Sequence, residues 1–292
     1  MVDTIGNPAS WFVQAIRRRS LYLKEGAAEL GGEAAAPIEL RDLQIADLKI
    51  ALRKGYEDFV ALRTDVMFIV LIYPIVGLVL TLFAVNREML PLLFPLIAGF
   101  ALIGPVAAIG LYEMSRKRER DGQASWRDAF SVMQSPSFVP ILVLGFYLAA
   151  LFITWMIVAF TLYGVTLGPE PPQSALGFFN DVLTTGPGWT MLVAGVAIGA
   201  VFALVVLAIS LVSFPMLIDR QVGIPKAVVT SVKITRKNPV VVAVWGLIVV
   251  ALLGLGVLTL FVGMIIALPV LGHATWHLYR QAVVPADRAA TT

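Results

Sequence analysis

Residues 238–279 read NPVVVAVWGLIVVALLGLGVLTLFVGMIIALPVLGHATWHLY, a run of 42 residues without Asp, Glu, Lys or Arg. As one continuous helix it would extend roughly 60 Å at 1.5 Å per residue. The hydrocarbon core of a bilayer is only ~30 Å thick and is crossed by ~20 residues. The run is therefore expected to fold back near Gly254–Gly256, giving two spans over about 239–256 and 258–279. Its division decides whether the span count is odd or even, and so whether the chain ends on the side where it began.

The same test upstream finds four more uncharged runs, at about 66–86, 89–112, 136–164 and 188–218. Composition agrees: 59% of the 292 residues are hydrophobic, 14% are charged, and mean hydropathy is +0.86. A soluble domain carries about 25% charged residues, so this chain needs the bilayer as solvent. The fold class expected is an all-α membrane protein of six spans in three hairpins, with amphipathic helices on the cytoplasmic side. The absence of cysteine excludes disulfides, thiolate metal sites and a cysteine nucleophile. MVDTIGNPASWFVQAIRRR has no apolar core of signal-peptide length before its arginines, so it is expected to stay on the mature protein.

Charge orients the spans. Nine Lys and Arg precede the first span, five lie in EMSRKRERDGQASWRD, five in DRQVGIPKAVVTSVKITRKN, and Arg280 and Arg288 follow the last span. Arg87 alone falls on the opposite side, which leaves 21 of 22 basic residues on one face. Basic residues mark the cytoplasmic side. Both termini are therefore expected there, in a bacterial inner membrane.

Outside the six-span domain (43–280) the expectation is an N-terminal helix over 1–24, a linker over 25–42 and a tail over 281–292. Asn7-Pro8 starts the first helix, where proline's missing N–H costs nothing. Trp11, Ala15 and Tyr22 share a face beside Arg17, Arg18 and Arg19, which suits a helix lying on anionic inner-leaflet lipids. Packing of that helix on the protein's own cytoplasmic face fits equally. LQIADLKIALRKGYEDFVALR follows, with Leu48, Leu52 and Phe59 on one face and Lys49, Arg53 and Glu57 among the opposing charges. WRDAFSVMQSPSFVP and PKAVVTSVKITRKNPVVV have a similar build, and Ser135-Pro136 and Asn238-Pro239 read as caps of the spans behind them. Three units of cytoplasmic helix plus hairpin result, related by an axis along the membrane normal. General membrane grammar could produce much of the same likeness.

The spans contain no Asp, Glu, Lys or Arg, which argues against an ion-coupled pump. Gly195 and Gly199 form a GxxxG, a face for close packing of another helix. Pro74, Pro91, Pro95, Pro105, Pro215 and Pro269 can kink helices, although proline is common in membrane helices. The only two histidines, His273 and His277, stand at i, i+4 and join Trp276 and Arg280 in one stripe at a span end. Tryptophan and arginine favour that boundary unaided by any metal. Glu113 and Asp219 end spans two and four on the same side, so a hydrogen-bonded inner-face cluster of His273, His277, Trp276, Arg280, Glu113 and Asp219 is expected. Metal binding by His273, His277, Glu113 and Asp219 is the weaker reading. The two rings leave one helix face and cannot clamp a haem from both sides. No nucleotide, hydrolase or dinucleotide signature occurs, so neither enzymatic activity nor a cofactor is expected.

YPIVGLVL, GLYEMSRKRE, WRDAF, SFPMLIDR and especially PVLGHATWHLYR resemble the bacterial membrane family called domain of unknown function 2189, from about Ile45 to Arg280. Some members carry the label of a cytochrome c oxidase subunit. At most this implies an accessory or assembly role beside a respiratory complex, because two histidines on one helix cannot ligate a catalytic subunit's haems and copper.

The leading functional expectation is a non-enzymatic inner-membrane protein that binds another membrane protein or itself, with no nucleic-acid partner. A facilitator for a small neutral or apolar solute is the alternative, and a metal-handling protein using His273 and His277 the third.

Overall fold

A computed structural model of the chain describes residues 38–284 apart from 71, 87 and 221, without the side chains of 63–73, 76, 80, 83, 84 and 100. The expected N-terminal helix with Asn7-Pro8, the linker as far as residue 37 and the tail from 285 lie outside the described residues.

Eleven α-helices are described, with no strand beyond one isolated bridge. They are α1 (Ile45–Val70), α2 (Ile72–Ala84), α3 (Leu93–Ala107), α4 (Ile109–Asp121) and α5 (Phe138–Thr166). There follow α6 (Ala175–Thr184), α7 (Gly186–Ser210), α8 (Ser213–Asp219), α9 (Ile224–Lys237), α10 (Pro239–Leu258) and α11 (Met264–Ala282). Among the described residues three helical stretches are long and apolar enough to cross a membrane: Phe138–Thr166, Gly186–Asp219 and Pro239–Leu258. The pair Leu90–Gly99 and Ala101–Ala107, bent by 40°, makes a fourth if it counts as one span. The remaining two expected spans fall short of that criterion. In the first, α2 has only 13 residues. In the last, α11 has 19 but ends in the polar sequence GHATWHLYRQA.

Local departures from expectation have local causes. The 42-residue run turns at Thr259–Gly263 rather than at Gly254–Gly256. Leu260 and Phe261 take left-handed backbone with φ of 53° and 66° there, while Gly256 stays helical and lets Met264 approach. The segment 128–134 is a 3-10 helix, not an α-helix. Pro136 lies just beyond and disfavours α geometry in the residue before it, while Asp128 Oδ2 accepts from Ser125 N at 2.8 Å to close the preceding turn. Neither Ser135 nor Asn238 caps by its side chain: α5 begins at Phe138, and the Asn238 Oδ1 instead accepts from Leu43 N at 2.8 Å. The loop 165–187 holds α6, started by Ser174 Oγ accepting from Gly177 N at 3.0 Å. Phe178 and Val182 of α6 are buried against Tyr163 and Leu90.

Burial is uneven along the chain in an instructive way. In the most apolar window of Gly186–Asp219 only 6% is buried, yet every residue from Leu211 to Leu217 is buried. Large apolar side chains on the long helices, such as Phe146, Ile157, Leu204 and Leu247, face outward. Among the fully buried large residues, Trp276, Tyr279, Phe214, Met216 and Ile234 come from α8, α9 and α11, while Leu144, Leu148 and Trp245 are buried on the long helices. That distribution suits a chain whose long helices are solvated by hydrocarbon and whose conventional core sits beside them.

The end core is organised by α1 against α11, the most extensive helix pairing described. Their backbones touch: a Cβ added to Gly55 would lie 2.6 Å from Ala274 N and 2.7 Å from the Val270 carbonyl. Beyond both helices, Arg41 N donates to the Ala282 carbonyl at 3.0 Å and Val284 N to the Glu39 carbonyl at 3.2 Å. The segments flanking this pair are therefore tied as well.

Candidate functional site

Three helices bring their polar residues to the end core. On α1 the buried stripe is Leu48, Ala51, Gly55, Asp58 and Leu62, so one carboxylate sits on an otherwise apolar, small-residue face. Ser115 follows Leu111 by one turn on α4, and His277 follows His273 by one turn on α11. Close approach at Gly55 and at Gly272, where an added Cβ would lie 2.5 Å from Leu111 Cδ1, lets short side chains meet.

Asp58 is the hub. Its Oδ2 accepts from Ser115 Oγ at 2.6 Å and pairs with His277 Nε2 at 2.9 Å, and its Oδ1 pairs with Arg118. Ser115 Oγ also lies 2.8 Å from His273 Nδ1. Asp58, Ser115, His273 and His277 are all buried. Burial pushes the Asp58 carboxyl upward, but the hydrogen bonds from His277 and Ser115 outweigh it and hold the group below the usual carboxylate range. Because Ser115 has one proton and gives it to Asp58, His273 must donate through Nδ1 to the serine oxygen. His273 Nε2 is buried and makes no hydrogen bond among the described residues.

The neighbouring residues form two further knots. Glu119 accepts from Trp276 Nε1 at 2.9 Å and from Arg280 Nε at 3.1 Å. Asp219 Oδ2 accepts from Tyr279 Oη at 2.6 Å and lies 3.7 Å from Arg280 Nη1. Glu113 is held by Arg116 through two contacts of 2.7 Å and accepts from Ser131 Oγ at 3.0 Å.

All six cluster residues named from the sequence lie at this end, but the histidines do not bond to Glu113 or Asp219. Their carboxylate is Asp58, and sequence reasoning missed it together with Ser115, Arg118 and Glu119. The available signal was an acid at i+3 from Gly55 on the small-residue face of α1. Among the described residues no three His, Asp or Glu side chains converge as metal ligands do. Gly195 and Gly199 face α5, with added Cβ atoms 3.5 Å from Leu162 Cδ2 and 3.0 Å from Trp155 Cη2. They also line a cavity of about 600 Å³ between the long helices.

Comparison with protein families adds one finding. Residues 92–219 match the family described as predicted integral membrane protein (DUF2189). The DUF2189 segment begins at the 3-10 turn before α3 and ends with α8. Ser115, Arg118 and Glu119 lie within it, whereas Asp58, His273 and His277 come from helices outside it. GLYEMSRKRE and WRDAF fall inside the matched residues, as does SFPMLIDR up to Asp219, and YPIVGLVL and PVLGHATWHLYR fall outside. No curated protein and no solved structure gives a significant match.

Proposed function

We propose that this integral membrane protein is a six-span, non-enzymatic component of the bacterial inner membrane, with both termini cytoplasmic, that works by binding another membrane protein. The observation that carries the reading is the closed state of its reactive groups. Asp58, Ser115, His273 and His277, the side chains suited to acid–base or nucleophilic work, are buried and bonded to one another. None of them lines the large cavity. A nucleophile or base needs access to a substrate atom, and here that access is taken by neighbouring side chains. What remains available is the outer surface of the long helices.

The six-span topology is supported by the distribution of lysine and arginine and by the contact of α2 with α3 and α11 and of α11 with α10. An accessory or assembly role beside a membrane complex fits this description, as does self-association.

The test is photo-crosslinking in intact cells from residues replaced on exposed faces, at Val193 and Leu204 of α7 and at Leu247 of α10. A discrete protein adduct of fixed mass from one face is the expected result. Lipid adducts alone, equally from every face, would remove the basis for a protein partner.

A further inference from the structure

We propose that the cavity between the long helices is a binding site for one hydrocarbon chain of a membrane lipid. The cavity has a volume of about 600 Å³, within the range of ligand pockets. It is bounded by α2, α3, α5, α7, α10 and α11, and Ala101, Gly199, Ala203, Gly254 and Leu268 are among the residues that define it.

Two independent observations point to an apolar occupant. The first is hydrogen bonding. Among the described wall residues the polar side-chain groups are the Thr81 hydroxyl and the Trp155 indole, and both are satisfied within the protein. Thr81 Oγ1 donates to the Gly77 carbonyl at 2.8 Å and Trp155 Nε1 to the Pro95 carbonyl at 3.0 Å. No side-chain donor or acceptor is left to hold water or a polar solute, and cavities with such walls stay dry or take apolar ligands.

The second is the pair Gly104 and Gly254. Glycine disfavours a helix interior, and is explained when a neighbour needs the space of its missing side chain, as Ala274 does at Gly55. Among the described residues an added Cβ at Gly104 or Gly254 would meet nothing within 4 Å, and neither has positive φ. Neither backbone geometry nor a described neighbour accounts for them. Both line the cavity, so the space that they keep open belongs to its contents. In a bilayer the most concentrated apolar chain is that of the lipid itself. An empty cavity would forfeit the dispersion contacts which such a chain restores. This inference needs only that the long helices lie in a bilayer, and it stands apart from the proposal of a protein partner.

The experiment reconstitutes the full chain in phosphatidylethanolamine–phosphatidylglycerol vesicles. These are doped either with a phospholipid bearing a diazirine in its acyl chain or with a diazirine-bearing polyisoprenol. After photolysis, adducts are mapped by mass spectrometry. Saturable labelling of the peptides carrying Ala101, Ala203 and Leu268 is expected, falling at least fivefold in Gly254→Leu and in Gly104→Leu. Labelling of the outward-facing Leu204 and Leu247 should not change. The arm that labels at the lower probe fraction tells acyl from isoprenoid chains. Adducts confined to outward faces would overturn the proposal, as would inner labelling indifferent to both substitutions. A third variant covers any failure of those two to fold. Because the chain has no cysteine, Ala203→Cys carries a single thiol. It should stay unreactive toward a membrane-impermeant maleimide, and rapid reaction would mean a water-filled route and refute a hydrocarbon site.

Discussion

Replacing Asp58 by alanine removes the acceptor shared by α1, α4 and α11. Three donors then lose their partner: Ser115 Oγ, His277 Nε2 and the Arg118 guanidinium. A buried donor left unpaired costs about 1–3 kcal/mol, and losing one member of a buried ion pair costs about 3–5 kcal/mol. The upper figures do not apply throughout. The Arg118 side chain is 31% exposed and recovers hydration, and Ser115 can turn its proton to His273 Nδ1 at 2.8 Å once that ring takes its other tautomer. The unrelieved loss is that of His277, so the total comes to roughly 3–4 kcal/mol. At ~2 °C per kcal/mol for a chain of this size, thermal unfolding in detergent should fall by roughly 6–8 °C. Asp58→Asn keeps an acceptor in the same shape and should lose about half as much. His277→Ala supplies the decisive control. If Asp58 and His277 act through each other, the double variant should be more stable than the sum of the single losses predicts, by about 1 kcal/mol or more. Strict additivity, or an Asp58→Ala melting point within 2 °C of wild type, would refute the account of Asp58 as the hub.

Acid dependence follows from the same group. The folded Asp58 carboxyl titrates below the usual range, so its contribution is present above the unfolded-state value near ~3.9. It is lost as pH falls through the lower folded value, and wild type should lose its advantage over Asp58→Asn below about pH 4 in melting curves. Gly55→Ala forces α1 and α11 apart, because the new Cβ would sit 2.6 Å from Ala274 N. A loss of about 1–3 kcal/mol in a detergent melt is expected. Reporter fusions after Asp181 should read periplasmic and those after Gln123 and Gln221 cytoplasmic, and one contrary reading would sink the six-span topology. His273→Ala should lower stability by about 1–3 kcal/mol with or without chelator. Stoichiometric zinc or copper in purified wild-type protein, lost in this variant, would show the histidines to be ligands instead.

The long apolar helices were legible because a bilayer imposes length and hydropathy on each span separately, with no reference to its neighbours. The partners of His273 were not legible, for a geometric reason. Glu113 and Ser115 lie at the same depth but about 200° apart around α4, at ~100° per residue. Depth could be counted from the sequence and azimuth could not, so Ser115 meets α11 while Glu113 turns to Arg116 and Ser131. Asp58 escaped because its partner His277 is 219 residues away, and no local pattern reports such a pairing. Helix α6 escaped for the opposite reason. Ten residues with Phe178 and Val182 on one side are too short to stand out from a loop until Tyr163 and Leu90 give them something to cover.

The pairing of α1 with α11 also sets an order of events during synthesis. The ribosome makes the Asp58 segment before the His277 segment, and 219 residues at ~5–20 residues per second separate them by roughly 10–40 s. Throughout that interval the Gly55 groove has no helix in it and the Asp58 carboxylate lacks the imidazole donor from α11. Every nascent chain thus passes through a stage in which its first described helix is incomplete, and the last described helix closes it. Chains that stop short of Gly272 would display the open groove and be recognisable to the cell's proteases as unfinished, whatever the state of the spans between.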